Sequence, residues 1–441
     1  MPLSPAQARH FCRRVGFGGK PGEINLFETM ERAEAVDYVL AQAPDAPSQP
    51  PGVNTTDWWE ILGDVQHMWL NRMADSKWHD RTSVTPSPLE EKMTLFWHSH
   101  FATGIRKVGD MGVMWDQHRI LRNRSLGSFH TLLERICTNG AILTYLDNDQ
   151  NTRWDPQENF ARELMELYTI GPHEFVENDV IEMTRAWTGH GVVGWVGHWV
   201  GDYEYHPEDH DNGSKTIFGH TATWNGPDTL PLFTSGVKRD ATARFISRKL
   251  WQFFVNDEPT EPELQTVVDA FLPGLDISDA LRALLMHDTF WASQTRFALT
   301  RSPVEFVVDL LRRLNIDAED TGIRWSMQNL RQEIFEPPSV AGWGTGGHWI
   351  STQDSWARAG FLGSLRWDQQ VHGKFAHLED MDTPAEAAQE IIDILRIPSV
   401  SATSRAALET FCNSHMNIRD RWALKHNAVI VGGMMPEMHV A

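Results

Sequence analysis

Two short segments of the chain carry side chains whose types and spacing suit a metal centre. In "SPLEEKMTLFWHSHF" (87–101), His98 and His100 sit at the end of an amphipathic helix; in "DPQENFARELMELYTIG" (155–171), Glu163 and Glu166 follow Asn159 at i, i+4 and i+7. On a helix that spacing draws one line along the edge of the apolar stripe formed by Phe160, Leu164, Leu167 and Tyr168. An ionised carboxylate there loses hydration at a cost of several kcal/mol, and a cation, a donor or a proton must compensate it. Imidazole and carboxylate together suit Fe, Mn or Zn, and the lack of neighbouring thiolates argues against a closed structural zinc site. The expectation is therefore one or two divalent ions held by His98, His100, Glu163 and Glu166 between facing helices. An open coordination position would activate dioxygen or water, so the chain reads as a metal-dependent enzyme, oxidative chemistry being preferred to hydrolysis.

A third group lies in "YHPEDHDNGSKTIFGH" (205–220), where turn residues surround His210, Asp211 and Lys215. These three are expected to carry protons or anchor substrate, with Asp147 of "YLDND" as a further acid just ahead of the glutamate helix. The competing reading is a binding or scaffold protein without catalysis. In that case Arg162 or Arg185 would neutralise Glu163.

The elements that must position these groups are helices. Asp155, Pro156 and Glu158 spell a capped start and Gly171 a stop for a helix over 156–170; Ser87, Pro88 and Glu90 do the same for 88–101. Helical periodicity also marks 4–14, 27–42, 57–76, 110–124, 128–138, 178–188, 239–255, 261–271, 277–287, 302–314, 323–332, 353–363, 383–396, 402–413 and 417–432. Two stretches break it. Residues 190–235 read as a small hairpin insertion, and "FEPPSVAGWGTGGHWIST" (335–352) as a Trp- and Gly-rich loop. Trp195, Trp199, Trp343 and Trp349 are expected to line an aromatic cleft for a small-molecule, sugar or peptide substrate. With no repeat and no clean linker, 1–441 reads as a single, mainly α domain, residues 376–441 adding helices to the same body.

Composition excludes several partners. A formal charge of −20 over 441 residues disfavours nucleic acid or an anionic membrane, which call for clustered Lys and Arg. Cys12, Cys137 and Cys412 are too few and too far apart for a disulfide framework. No run of about 18 apolar residues would insert in a membrane, and the N-terminus lacks the apolar stretch of a secretory signal. As it stands the chain is expected in the cytoplasm, the alternative being export after loss of a signal or alongside a partner.

Ten segments in order resemble the DUF1800 family of bacterial proteins: "FCRRVGFG" (11–18), "EKMTLFWHSHF" (91–101), "LDN" (146–148), "ENFARELMELYTIG" (158–171), "RAWTG" (185–189), "HDNGSKTIFG" (210–219), "ISRKLW" (246–251), "RSPVEFVVDLLR" (301–312), "FEPPSVAGW" (335–343) and "PEMHVA" (436–441). The resemblance implies a mostly helical domain, frequent export, and genomic association with a second family, DUF1501, whose members are the expected protein partner. It implies no activity. Its segments include the residues picked above on physical grounds.

Overall fold

The computed structural model describes the whole chain except residues 42–49, 51, 53–56, 77–86, 194–200, 318–326, 398 and 417–420, and the side chain of Pro21. The fold is mainly α, as expected. Five helices position the groups of interest: α1 (Pro5–Val15), α2 (Pro88–His100), α3 (Asn159–Glu163), α4 (Arg239–Phe254) and α5 (Pro303–Leu314).

Local sequence explains their starts. Ser4 accepts from the Gln7 N–H and the Gln7 side chain takes the Ser4 N–H, a reciprocal cap for α1. Ser302 and Glu305 do the same for α5, with Pro303 at the first position. At α3 the expectation and the structure differ. The helix begins at Asn159, three residues later than the Asp155–Pro156 signal, because Thr152 and Asp155 are tied into a turn of their own. It then widens into a π-helix over Leu164–Thr169. The wider turn moves Leu167 off the stripe, leaving Phe160, Leu164, Met165 and Tyr168 fully buried.

Elsewhere, the expected helix 27–42 is two, Pro21–Glu28 and Arg32–Leu40. Of the expected 323–332 helix, residues 323–326 lie outside the described residues, and 327–329 are helical before the chain turns. The expected hairpin insertion is two small antiparallel pairs: β1 (His190–Val192) with β2 (Tyr203–Tyr205), and β3 (Lys215–Ile217) with β4 (His220–Ala222). Trp195 and Trp199 fall outside the described residues. Among those described, no helix is long and apolar enough to cross a membrane.

The apolar core forms two clusters, one built mostly from residues before 292 and one from helices near 58–75, α5 and the C-terminal helices. Helix α2 feeds both, giving Met93, Phe96 and Trp97 to the first and Leu95 to the second. A line of buried charge runs between them. Glu91 grips Arg122 through both oxygens (2.5 and 2.7 Å), Lys92 pairs with Glu305, Asp309 with Arg301 and Arg313, and Arg312 with Glu23 (2.8 Å). Buried ions so paired fix how the two clusters meet, since breaking one pair would strand a charge at a cost of about 3–5 kcal/mol.

Candidate functional site

The two expected histidines diverge. His98 is buried between Trp69, Phe335 and Trp343, and its Nε2 accepts the Phe335 N–H at 3.0 Å. Burial lowers its pKa to about 3, so it stays a neutral acceptor. His100 turns the other way. Its Nε2–H donates to the Tyr168 carbonyl (3.0 Å), which fixes the tautomer, and its bare Nδ1 accepts from Lys249 Nζ at 3.1 Å. A lysine thus occupies the position from which His100 would have ligated a metal.

Glu163 and Glu166 are partly buried; burial, then Glu166, raises the Glu163 carboxyl above its usual range. Neither expected arginine pairs with Glu163: Arg162 engages Glu177 (2.7 Å) and Glu158 (3.3 Å), while Arg185 engages Asp211 (2.7 Å) and Glu182 (3.0 Å). Among the described residues no three His, Cys, Asp or Glu side chains form a group that could hold a metal ion. His98, His100, Glu163 and Glu166 do not come together as such a group.

The loop residues have structural partners. Lys215 is buried, its ammonium donating to the carbonyls of Asp211, Gly213 (3.0 Å) and Trp224 (3.0 Å). Asp211 is held in a fork by Arg185, and Thr188 takes up its N–H. His210 Nδ1 donates to the Thr188 carbonyl at 2.8 Å. Asp147, in a left-handed conformation (φ 60°), pairs with Lys107 (2.8 Å) and accepts from Asn159 (3.4 Å). These contacts close the base of the β insertion; no hydrogen bond or ion pair among the described residues joins them to the two histidines.

What the structure does assemble is a cavity of about 250 Å³ in the charged seam. Helix α1 supplies Arg13 and Arg14, α2 supplies Lys92 and His100, α4 supplies Lys249, and α5 supplies Glu305. The Trp- and Gly-rich loop closes one side with Trp343 and Trp349. That loop presses onto the end of α2: Trp343 N–H donates to Ser99 Oγ (3.2 Å), and at Gly342 (φ 76°) a Cβ would lie 2.0 Å from the Ser99 carbonyl oxygen. Only glycine allows that approach.

The π-helix positions Lys249. The carbonyls of Leu167 and Tyr168, in the last turn of the π-helix where no helical N–H follows, receive Lys249 Nζ (3.3 Å) and His100 Nε2. Burial lowers the Lys249 pKa to about 8, which places its proton exchange near neutral pH. Burial, followed by Lys249, pushes His100 well below the usual histidine range. Arg14, also by burial, is lowered to about 9. Burial alone would raise Glu305, but Lys92 outweighs it and holds the carboxyl below its usual range.

Of these residues, type and spacing in the sequence point only to His100, Trp343 and Trp349. Arg13, Arg14, Lys92, Lys249 and Glu305 escape that reading, although "FCRRVGFG", "EKMTLFWHSHF", "ISRKLW" and "RSPVEFVVDLLR" contain them all. Two adjacent arginines on one helix are the available signal. They read as surface charge until a buried neighbour is known.

The family model described as "Protein of unknown function (DUF1800)" matches residues 10–439. No curated protein and no solved structure matches the chain.

Proposed function

The chain belongs to the DUF1800 family, whose description assigns no activity, and we propose from the cavity itself that the protein is an enzyme moving a proton on a small organic molecule held there. One observation carries the reading: Lys249 Nζ lies in the cavity wall on two acceptors, His100 Nδ1 and the Leu167 carbonyl. Two acceptors match the two N–H bonds of a neutral amine and leave its lone pair free. A base poised near neutral pH needs that state, since proton transfer is most efficient when the pKa lies close to the working pH. In this reading Lys249 takes a proton from the ligand and becomes an ammonium, which His100 Nδ1 and Leu167 O then stabilise. His100 is a positioning residue, its ring held by Tyr168.

The test needs no prior substrate. Purified protein is incubated in D2O with a small-molecule extract, and carbon acids are followed by mass spectrometry as they gain carbon-bound deuterium or convert. At least one compound should be labelled by the wild type and not by Lys249→Met. Equal labelling by both proteins, or none by either, sinks the proposal.

A second reading has one observation behind it. Trp356, Trp367 and Trp422 of the C-terminal helices are exposed by 80%, 58% and 57%. Large exposed aromatics favour a protein interface, of the kind a DUF1501 partner would use. Replacing the three by serine should abolish co-purification with such a partner while leaving the cavity's chemistry intact.

A further inference from the structure

We propose that the ligand of this cavity is an organic oxyanion, its acid group seated between Arg13 and Arg14 and its apolar part against the tryptophan loop. The inference rests on the enzyme reading and deepens it by naming the substrate class.

The carrying observation is a pair of guanidinium groups without enough partners. Arg13 and Arg14 are 5% and 2% exposed. Each makes one hydrogen bond, from Nη2, to a backbone carbonyl: Arg13 to Arg296 O (3.2 Å) and Arg14 to Thr295 O. The Nε and Nη1 atoms of both are buried and have no partner among the described residues. A guanidinium offers five N–H donors, and a buried donor left unmade costs about 1–3 kcal/mol, more when charged. Two side chains wasting donors in this way, both in the wall of one cavity, define a place for acceptor oxygens.

The surrounding charge points to the same chemistry. Counting side chains, and with Lys249 neutral as the enzyme reading has it, the cavity and the wall behind it hold Arg13, Arg14, Lys92, Arg301 and Arg313 against Glu305 and Asp309, with Asp257 also in electrostatic reach of Arg14. Glu305 and Asp309 are already engaged, Glu305 by Lys92 and Asp309 by Arg301 and Arg313. The excess is positive inside a protein whose overall charge is −20. Desolvated like charges repel strongly, and an anion entering here would gain charge-assisted hydrogen bonds that bulk solvent cannot match. Metal cations are disfavoured by the same field.

The same cavity also has aromatic lining. Phe96, Phe253, Trp343 and Trp349 line it, so a ligand with a carbon skeleton fits better than a bare inorganic ion. Carboxylate and phosphate share the required chemistry, and their difference is left to the experiment.

Four compounds separate the contributions: phenyl phosphate, benzoate, inorganic phosphate and benzyl alcohol, each titrated into the full-length protein by calorimetry and by thermal shift. Phenyl phosphate, benzoate or both should bind at least tenfold tighter than benzyl alcohol and than inorganic phosphate. Whichever acid wins identifies the group. Arg14→Met should lose at least tenfold in that affinity, and, relieved of an uncompensated charge, should melt no lower than the wild type without ligand. Arg13→Met provides the same reading should Arg14→Met not fold. Benzyl alcohol binding as well as the acids, unchanged affinity in both arginine variants, or no binding by either acid overturns the proposal. Failure of proton transfer does not, because Lys249→Met abolishes deuterium labelling in that reading while still binding the acid here.

Discussion

Lys249 gives one N–H to His100 Nδ1 across 3.1 Å, and His100 passes its own Nε2–H to the Tyr168 carbonyl across 3.0 Å. Three chain segments, α4, α2 and the π-helix that follows α3, are thereby joined by one directional relay. Its direction follows from chemistry: a carbonyl can only accept, so His100 must be bare at Nδ1, and Lys249 must be the donor there.

The first prediction concerns pH. The folded-state pKa of Lys249, about 8, lies below the ordinary lysine value of 10.5. Between those values the unfolded chain binds more protons than the native one, so stability rises with pH across the window. Lys249→Met lacks that contribution. The wild-type melting temperature, measured relative to this variant, should therefore climb from pH 8 to pH 10.5. A difference that stays flat over the window would show that the amine is not depressed.

His98 offers a second test, aimed at the expected metal centre. Its Nε2 is the acceptor for the buried Phe335 N–H. His98→Leu keeps the volume roughly constant and strands that donor, so it should cost about 1–3 kcal/mol in denaturant unfolding. Added Zn, Mn or Fe should change the stability of neither the wild type nor the variant; a metal-dependent gain seen only in the wild type would restore His98 as a ligand.

Lys215 separates structure from catalysis in the β insertion. Its ammonium satisfies the carbonyls of Asp211, Gly213 and Trp224 at once. Lys215→Met should destabilise the protein by roughly 3 kcal/mol, because three charge-assisted bonds from one buried ammonium are lost together. Binding of phenyl phosphate or benzoate at the cavity should not change. A stable variant that loses cavity chemistry would return Lys215 to the role its sequence suggested.

These contrasts show what the sequence could convey. Periodicity and caps made the helices legible, Ser302 and Glu305 at α5 being a clear case, since capping is a local interaction between residues three apart. The π-helix at Leu164–Thr169 was not legible, because residue types do not mark where a helix widens, and it is burial that shows Met165 in and Leu167 partly out of the core. Site residues failed for a related reason. His98 and His100, two apart, project to opposite sides of a regular helix, and since α2 stays helical through His100 they pack apart, on Phe335 and on Tyr168. Arg13 and Arg14 are ordinary in sequence; what makes them notable is burial, a property of the tertiary fold.

The last prediction tests whether the tryptophan loop is part of the site. At Gly342 the backbone is left-handed (φ 76°), and a Cβ would sit 2.0 Å from the Ser99 carbonyl oxygen, far inside any tolerable contact. Gly342→Ala must therefore lift the loop from the end of α2, loosening the Trp343 N–H bond to Ser99 Oγ. Trp343 belongs to neither apolar cluster, so both clusters should survive and the loss in melting temperature should be modest. The cavity, by contrast, would lose the ordered aromatic wall while keeping Arg13 and Arg14. Calorimetry should then show phenyl phosphate or benzoate weakened about tenfold, towards the affinity of inorganic phosphate, whose own binding should be unaltered. If Gly342→Ala weakens the organic and inorganic ions alike, the loop acts on the arginines rather than on the carbon skeleton, and the division of the cavity into a charged and an apolar half is wrong.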